Sequence, residues 1–257
     1  MSAPQVPRNT FKRALLAGEQ QVGMWISLVS AYSTEVIAGS GFDWLLLDTE
    51  HSPAEVSSLL PQLHAASQFP VSVVVRPAWN DKVLIKRTLD LGVQSLLVPY
   101  VSTPEEAAAA VAAVRYPPRG VRGVAGSTRA AQFGRITDYA KRAEDELCLL
   151  VQVETREGLD NIERIAAVDG IDGIFIGPAD LAAGLGHLGE IGHPDVQKAI
   201  MEGIRRIRAC GKAPGILALD DAFARRSIEA GTLFTAVGLD AILLARETEK
   251  LAARYKK

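Results

Sequence analysis

The sequence predicts an α/β protein, a single-domain (β/α)8 TIM barrel that takes in all of residues 1–257. Short apolar runs alternate with longer segments of helical period, which gives eight strand–helix pairs. The runs are apolar on both faces, which is typical of parallel strands covered by helices. A chain of 257 residues also has the ordinary length of such a barrel. A doubly wound open sheet is the alternative.

The individual elements are predicted from the length of each apolar segment and from the residues that flank it. The predicted strands cover residues 24–28, 44–48, 71–75, 95–98, 147–153, 173–176, 215–218 and 235–238. The predicted helices cover residues 33–40, 53–67, 80–91, a segment from 103, 158–166, a segment from about 195, 221–230 and 241–255.

Several of these boundaries carry a specific signal. The run at 71–75 is rich in β-branched residues, as strands are. Pro53 suits the first turn of a helix, and Gly92 is a typical residue just past a helix end. Thr103 followed by Glu106 is a capping-box pattern, which predicts the start of an Ala-rich helix.

Residues 115–146 interrupt the alternation. The segment holds Gly, Pro and Arg without an apolar period, which predicts a long loop with one or two short helices. We expect this loop on the catalytic side of the barrel, because long loops without regular structure are commonly functional.

Composition and charge exclude several classes of function. The formal net charge of −2 gives no electrostatic basis for binding nucleic acid or an anionic membrane. Cys148 and Cys210 lie far apart without a neighbouring partner, so neither a disulfide framework nor a structural zinc site is indicated. The sequence has no run of 18 apolar residues, and its polar start lacks the apolar core that a signal peptide would have. We expect a cytoplasmic protein that acts on small molecules, with no nucleic-acid or membrane partner.

Ionisable residues follow several of the predicted strands, where a barrel places its working groups. They are Asp48, Glu50 and His51 after the second strand, Arg76 after the third, Gln152 and Glu154 at the end of the fifth, and Asp180 after the sixth. Because the carboxyl ends of the strands meet at one rim, we expect these side chains to converge.

Glu154 and Asp180 form a candidate metal pair. Mg²⁺ and Mn²⁺ prefer carboxylate oxygens and commonly take only one or two of them from the protein. The alternative is that Glu154 pairs with Arg156 and that Asp180 caps a short helix.

His51 is the candidate general base among the four histidines, since imidazole titrates near neutral pH and His51 directly follows a buried strand. An exposed loop residue is the alternative. Arg76 could place a fixed cation beside developing negative charge or a substrate carboxylate. An ion pair of Arg76 with Asp43 or Glu50 is equally compatible with the spacing. No lysine lies at a predicted strand end, which argues against a Schiff-base mechanism.

Seven separate segments of the chain resemble segments of one protein family, and they occur in the same order as in that family. They are FDWLLLDTEHSP, VVVRP, LDLGVQSLLVPYV, RGVRG, VQVETREGLDNI, IFIGPADLAAGLG and AVGLDAILLAR, and the match runs from about residue 23 to residue 246. Together they resemble the hydroxy-oxo-heptanedioate aldolase family of class II, metal-dependent pyruvate aldolases, within the HpcH/HpaI aldolase/citrate lyase superfamily.

The resemblance implies a (β/α)8 barrel that holds Mg²⁺, Mn²⁺ or Co²⁺ through Glu154 and Asp180. It implies Arg76 as the group that stabilises the transition state, and Gln152 and Ala179 near the bound oxo acid. Members of the family are typically hexamers that exchange helices between neighbouring subunits. The C-terminal helix is the candidate for exchange here.

The resemblance also implies His51 as the catalytic base and Asp90 as the acid that raises its basicity. Asp90 comes late on the third predicted helix, which leads towards the opposite end of the barrel. It could reach His51 only through an unusual bend or from a neighbouring subunit. Asp48 is the simpler orienting group by position, and both acids stay as candidates.

The reaction that the resemblance implies is reversible aldol cleavage of a 4-hydroxy-2-oxo acid to an aldehyde and pyruvate, or a close 2-oxo acid such as hydroxypyruvate. One alternative is a citramalyl- or malyl-type acyl-CoA lyase on the same barrel. It would need a cationic groove, for which the sequence offers the cluster Arg115, Arg119, Arg122 and Arg129. Another alternative is a barrel that binds a metal and an oxo acid without turnover.

Overall fold

Eight parallel strands follow one another around a closed barrel in chain order. The strands of the computed structural model, which describes residues 4–256, are β1 (Gln21–Ile26), β2 (Trp44–Asp48), β3 (Ser72–Arg76), β4 (Ser95–Val98), β5 (Cys148–Val153), β6 (Gly173–Ile176), β7 (Ala213–Leu217) and β8 (Phe234–Leu239). Strand β8 pairs with β1 and completes the ring. The predicted (β/α)8 barrel is confirmed, and each strand end lies within three residues of its predicted position.

Helices surround the barrel. They are α1 (Thr10–Ala17), α2 (Ala31–Ala38), α3 (Val56–Ala66), α4 (Lys82–Asp90), α5 (Pro104–Val114), α6 (Tyr139–Arg142), α7 (Arg156–Asp160), α8 (Ile162–Ala166), α9 (Pro178–Gly184), α10 (Pro194–Ala209), α11 (Asp221–Glu229) and α12 (Asp240–Ala253), with a 3₁₀ helix at Ala143–Glu146. The predicted helix at 158–166 divides at Asn161 into α7 and α8. Within residues 4–256, no helix has the length and apolar character needed to cross a membrane.

Large aromatic side chains fill the interior of the barrel. The rings of Trp44 and Phe234 are fully buried, with centroids 6.0 Å apart, and Phe175 lies another 6.0 Å from Phe234. Gly23 makes room for this packing, since a Cβ there would lie 2.2 Å from the Trp44 ring. The interior is therefore a packed core, and the working space is confined to the ends of the strands.

The predicted elements do not include α1, which covers the amino-terminal end of the barrel. Phe11 of α1 contacts Trp44 and Phe234, with ring centroids 5.7 and 6.1 Å apart. Asn9 caps the helix by accepting a hydrogen bond from the Lys12 amide. Only three of the eight residues of α1 are buried. The apolar pattern of the helix is therefore too short to be recognised within the polar sequence around it.

The loop at 115–146 lies at the amino-terminal end of the barrel, and its predicted placement on the catalytic side is wrong for this subunit. It joins the end of α5 to the start of β5, so it must return to the amino ends of the strands. The Ala130 amide donates to the Asp90 carbonyl, and the Asn9 amide beside α1 donates to Glu146. The predicted short helices are present as α6 and the 3₁₀ helix.

Most of helix α12 is exposed to solvent. Its first residue, Asp240, is buried, whereas Leu243, Leu244 and Leu251 are each about half exposed. Its main contacts are with β1 and β8. The apolar side of α12 is thus left open to solvent in the described part of one subunit.

Candidate active site

A cavity of about 320 Å³ opens at the rim where the carboxyl ends of the strands meet. It is lined by Trp25, Ser27, Asp48, His51, Arg76, Gln152, Glu154, Phe175, Gly177, Pro178, Ala179, Asp180, Leu217 and Leu239. The residues predicted to form the site are therefore brought together, with the exception of Asp90.

Arg76 and Asp48 form a bidentate ion pair on neighbouring strands. The register of β2 and β3 sets the two residues side by side, and Arg76 Nε and Nη2 donate to the Asp48 carboxylate at 2.8 and 2.6 Å. Burial by itself raises the pKa of Asp48, but the hydrogen bonds and charge of Arg76 outweigh it and bring the pKa below its ordinary value. Trp25 donates to Asp48 at 3.2 Å, and its ring lies 4.8 Å from the guanidinium carbon. The pair is held as a charged unit.

Glu50 faces the same arginine. Its Oε2 lies 2.8 Å from Arg76 Nη1, close enough for an ion pair but outside hydrogen-bonding geometry. Burial raises the pKa of Glu50 to about 7; the charge of Arg76 opposes this shift, while Asp48 and Asp180 add to it. The ion pair of Arg76 with Glu50, which the spacing allowed, is therefore present.

Glu154 and Asp180 both accept a hydrogen bond from Tyr100. The Tyr100 amide donates to Glu154 Oε1 at 2.8 Å, and the Tyr100 hydroxyl donates to Asp180 Oδ1 at 3.1 Å. Burial raises the pKa of Glu154 to about 7, and the charges of Glu50 and Asp180 act in the same direction. Arg156 forms no ion pair with Glu154 among the described contacts. Negative charges that raise the pKa of a neighbouring carboxyl group in this way stabilise a cation bound beside them.

The surroundings of Glu154 fit a hard divalent cation. Gln152 Nε2 donates to Glu154 Oε2 at 2.6 Å, while Gln152 Oε1 is buried without a hydrogen-bond partner within residues 4–256. Gly177 keeps space beside the carboxylate, since a Cβ there would lie 2.7 Å from Glu154 Oε2. Ala179 and Asp180 follow in the first turn of α9. The carboxylates of Glu154 and Asp180, with this unpaired acceptor nearby, are the donor type that such an ion prefers.

His51 lies at the mouth of the cavity, in the turn after β2. Its side chain is 64% exposed, and Nε2 is 3.9 Å from Glu50 Oε2. Asp48 holds the backbone of this turn rather than the imidazole, because its Oδ1 accepts from the amides of Glu50 and His51 at 3.0 and 3.5 Å. Asp48 thus acts on the position of His51 through the turn.

Asp90 lies at the other end of the barrel from His51. It is the last residue of α4, close to the amino end of β4, and its carboxylate is 3.4 Å from Arg122 Nη2. One subunit does not bring Asp90 and His51 together, as the position of Asp90 on its helix predicted. A contact between them requires a second copy of the chain.

Two residues of the rim, Tyr100 and Asp240, are missing from the sequence prediction. Tyr100 follows β4 and has a φ of 56°, in the left-handed region that few side chains adopt. Asp240 is buried after β8 and accepts hydrogen bonds from the amides of Ser27 and Leu28 at 2.8 and 3.1 Å, which joins the rims of β1 and β8. Both residues come just after a strand, β4 or β8, so a search for polar side chains behind those two strands identifies them.

The closed barrel and the ionisable groups gathered at its carboxyl-terminal rim define the class of the protein, a (β/α)8-barrel enzyme. Residues 21–246 match the family model described as HpcH/HpaI aldolase/citrate lyase. The chain belongs to the HpcH/HpaI aldolase/citrate lyase family. The resemblance predicted from the sequence is confirmed, and with it the assignment to the aldolases, which are carbon–carbon lyases.

Individual relatives cover almost the whole chain. A pyruvate aldolase of Rhizobium etli is 59% identical over 251 residues, which are 98% of this chain and 99% of the relative. A 4-hydroxy-2-oxo-heptane-1,7-dioate aldolase of Klebsiella pneumoniae is 54% identical over 248 residues, 96% of this chain and 94% of the relative. The crystal structure of an HpcH/HpaI aldolase/citrate lyase family protein from Burkholderia cenocepacia has a TM-score of 0.93 at 41% identity and covers 97% of this chain and 100% of its own.

Proposed function

We propose that this protein catalyses reversible aldol cleavage of 4-hydroxy-2-oxo acids to an aldehyde and pyruvate, or a close 2-oxo acid such as hydroxypyruvate. The observation that carries the proposal is the cavity lined by the cation of Arg76 and the acids Glu154 and Asp180, with Glu50 paired to Arg76 beside it. The relatives named as pyruvate aldolase and 4-hydroxy-2-oxo-heptane-1,7-dioate aldolase support the same reaction.

Glu154 and Asp180 are the residues proposed to hold a divalent metal ion, either Mg²⁺, Mn²⁺ or Co²⁺. Two carboxylates leave the other coordination positions to water and substrate, an arrangement that such ions commonly adopt. When bound, the ion supplies the Lewis acidity that makes the protons beside the keto group easier to remove. Gln152 and Ala179 border the same space and are the proposed contacts of the oxo acid.

Arg76 is proposed to stabilise the negative charge that develops on the oxo acid as its C3 proton leaves. The guanidinium is already fixed by its two hydrogen bonds to Asp48 and by the ring of Trp25. A preorganised cation in a buried site stabilises a transition state without the reorganisation that water requires.

His51 is proposed as the general base. It would take a proton from C3 in the direction of addition and from the 4-hydroxyl group in the direction of cleavage. Its place at the mouth of the cavity allows it to act directly or through one water. Asp48 orients it through the turn, and Asp90 is proposed to approach it from a neighbouring subunit.

The placement of the arginine cluster argues against an acyl-CoA lyase. Arg115 and Arg119 pair with Glu144, Arg122 is fully buried, and Arg129 donates to a backbone carbonyl. All four belong to the loop at the amino-terminal end, so the phosphates of a thioester at the catalytic rim would meet none of them in the same subunit. The paired acids, the fixed cation and the base argue likewise against binding without turnover.

We propose a hexamer in which α12 packs on a neighbouring subunit. The half-exposed leucines of α12 need an apolar partner. A second copy offers one on α2, where Tyr32 and Val36 are 79% and 63% exposed. The proposed location is the cytoplasm, where the two free cysteines, Cys148 and Cys210, stay reduced.

The proposed reaction is tested by following pyruvate release from a 4-hydroxy-2-oxo acid. We expect chelator-treated protein to lose this activity and to regain it with Mn²⁺ or Mg²⁺. Activity that is indifferent to chelation, or a covalent adduct trapped by borohydride, would contradict the metal-dependent mechanism. Faster cleavage of a citramalyl or malyl thioester would transfer the assignment to the lyase.

A further inference from the structure

An apolar groove of about 540 Å³ adjoins the catalytic cavity at the same rim of the barrel. Pro178, Ala179 and Leu217 line both the groove and the cavity, so the two spaces meet along these residues. Ala179 is also a proposed contact of the oxo acid. A molecule whose reacting end lies in the cavity can therefore extend into the groove.

Apolar side chains form much of the wall of the groove. Leu219 comes just after β7, Phe223 lies in the first turn of α11, and Ile191 belongs to the loop between α9 and α10. Leu219 is 48% exposed and Ile191 is 38% exposed, so both present apolar surface to a molecule in the groove. Pockets for small molecules are typically apolar, with a few polar groups that fix the orientation of the ligand. This wall suits a carbon chain or ring.

A cation, Arg226 of α11, also lines the groove. Arg226 forms no ion pair with a carboxylate of residues 4–256, whereas the adjacent Arg225 lies 3.2 Å from Asp221. Asp220 lines the same groove but caps α11, where its Oδ1 accepts from the Phe223 amide at 2.7 Å. The positive charge of Arg226 is therefore left for a ligand.

The guanidinium of Arg226 is held at the wall by its neighbours. Its Nη2 donates to Gln197 Oε1 at 3.1 Å, and Gln197 Nε2 donates to the Ile191 carbonyl at 3.2 Å. Its central carbon lies 5.7 Å from the centroid of the Phe223 ring. An arginine held in this way loses less freedom when it binds a carboxylate, which its planar group can meet with two hydrogen bonds.

We propose that this groove binds the chain of the aldehyde and that Arg226 selects aldehydes whose apolar chain ends in a carboxylate or another anionic group. The inference rests on the proposed aldol reaction, in which that chain is attached to C4 of the 4-hydroxy-2-oxo acid. The oxo-acid carbons and the bond between C3 and C4 lie in the cavity, and the carbons beyond C4 continue into the groove. The groove is larger than the cavity of about 320 Å³, so it accommodates long chains.

Addition of pyruvate to heptanal and to 7-oxoheptanoate tests the role of Arg226. The two aldehydes have equal chain length and differ in a terminal methyl or carboxylate group. We expect the wild-type full chain to have the higher kcat/KM for 7-oxoheptanoate. In Arg226→Gln the ratio of the two kcat/KM values should fall by about tenfold, mainly through KM, because a hydrogen-bonded ion pair with the substrate is lost.

Arg225→Gln is the matched control, because Arg225 is the adjacent exposed arginine and does not line the groove. It should keep the wild-type ratio. Arg226→Lys keeps the positive charge and should recover part of the preference for 7-oxoheptanoate, which loss of packing alone would not produce.

Leu219→Asp tests the groove independently of the guanidinium. A carboxylate on the apolar wall should lower kcat/KM for both seven-carbon aldehydes, relative to acetaldehyde, by about fivefold or more. The decrease should be larger for 7-oxoheptanoate because like charges repel. Leu188→Asp is the control, since Leu188 is 82% exposed and lies outside the groove.

Two results would overturn the inference while the proposed reaction stands. One is an unchanged preference in Arg226→Gln, and the other is a wild type that adds pyruvate to acetaldehyde but does not favour 7-oxoheptanoate over heptanal. A change in mass by light scattering in Leu219→Asp, with unchanged relative kcat/KM values, would instead assign the groove to a contact between subunits. Failure of the wild type to exchange pyruvate protons or to add any aldehyde would overturn the proposed reaction, and the inference with it.

Discussion

Arg76 donates two hydrogen bonds to Asp48 beneath the cavity, and neither side chain is more than 7% exposed. The pair spans β2 and β3, so the cation of the site is fixed by the barrel itself. Glu50, whose pKa is raised, stands on the other side of the same guanidinium. Arg76 is therefore held between two acids, Asp48 with a lowered pKa and Glu50 with a raised pKa.

Replacing Asp48 with Asn leaves the buried Arg76 without its bidentate partner. We expect pyruvate-forming activity to fall by about 100-fold or more. The free energy of unfolding in urea should fall by about 3–5 kcal/mol, the range for breaking a buried ion pair. Asp221→Asn, which opens the exposed pair with Arg225, should change it by less than about 1 kcal/mol. Similar losses in the two variants would contradict the structural role of Asp48.

The raised pKa values of Glu50 and Glu154 predict a pH-dependent stability of the metal-free protein. In the folded state both acids keep their protons up to about pH 7, whereas in the unfolded chain they release them near the ordinary value of 4.5. The folded state therefore binds more protons in this window, and the contribution of these groups to stability falls as the pH rises from about 4.5 to 7.

Metal binding needs the deprotonated acids, so it should have the opposite pH dependence. The rise in melting temperature on adding Mn²⁺ should grow between about pH 6 and 8. Glu154→Gln should weaken both effects, because it removes one of the two titrating groups and a metal ligand. An equal Mn²⁺-induced rise at both pH values would show that these acids do not control metal binding.

Tyr100→Phe removes the hydroxyl that donates to Asp180 Oδ1. We expect the affinity for Mn²⁺ to fall by about 10- to 100-fold, which is typical for loss of a group that orients a metal ligand. The fold should persist, because the ring of residue 100 still packs on Trp79 at a centroid distance of 5.1 Å. Tyr255→Phe, at an exposed position beyond α12, is the control and should leave Mn²⁺ affinity unchanged. An unaltered affinity in Tyr100→Phe would exclude this role.

Charged residues on the open side of α12 should break the assembly. The double variant Leu243→Asp and Leu244→Asp is expected to lower the mass measured by light scattering and to reduce activity, since Asp90 is proposed to act from a neighbouring subunit. Leu16→Asp, at a site 67% exposed on α1, should leave the mass unchanged. A double variant with the wild-type mass would contradict the exchange of α12.

The barrel could be predicted because its pattern is repeated eight times and each strand is buried on both faces. The location of Arg76, Glu154 and Asp180 followed from the same geometry, since parallel strands bring their carboxyl ends to one rim. Helix α1 escaped prediction because it is short and buries few residues. The side of the barrel on which the loop 115–146 lies depends on its connection from α5 to β5, not on its composition.

Contacts between side chains were harder to predict than their positions. The spacing allowed Arg76 to pair with Asp43 or Glu50, but the register of β2 and β3 decides that Asp48 is its bidentate partner. Asp48 also accepts hydrogen bonds from the backbone amides of Glu50 and His51 in the turn that follows β2. Which side chains pair across two strands depends on the register of those strands, and the sequence of a single strand does not determine the register.

Exchange of the pyruvate methyl protons with deuterated solvent, followed by proton NMR, tests the central claim most directly. The exchange reports removal of the C3 proton without any aldehyde. We predict exchange in wild-type protein and in His64→Ala that stops on chelation, and a rate at least about 100-fold lower in His51→Ala. Exchange at the wild-type rate in His51→Ala, or exchange that survives chelation, would contradict the proposed mechanism.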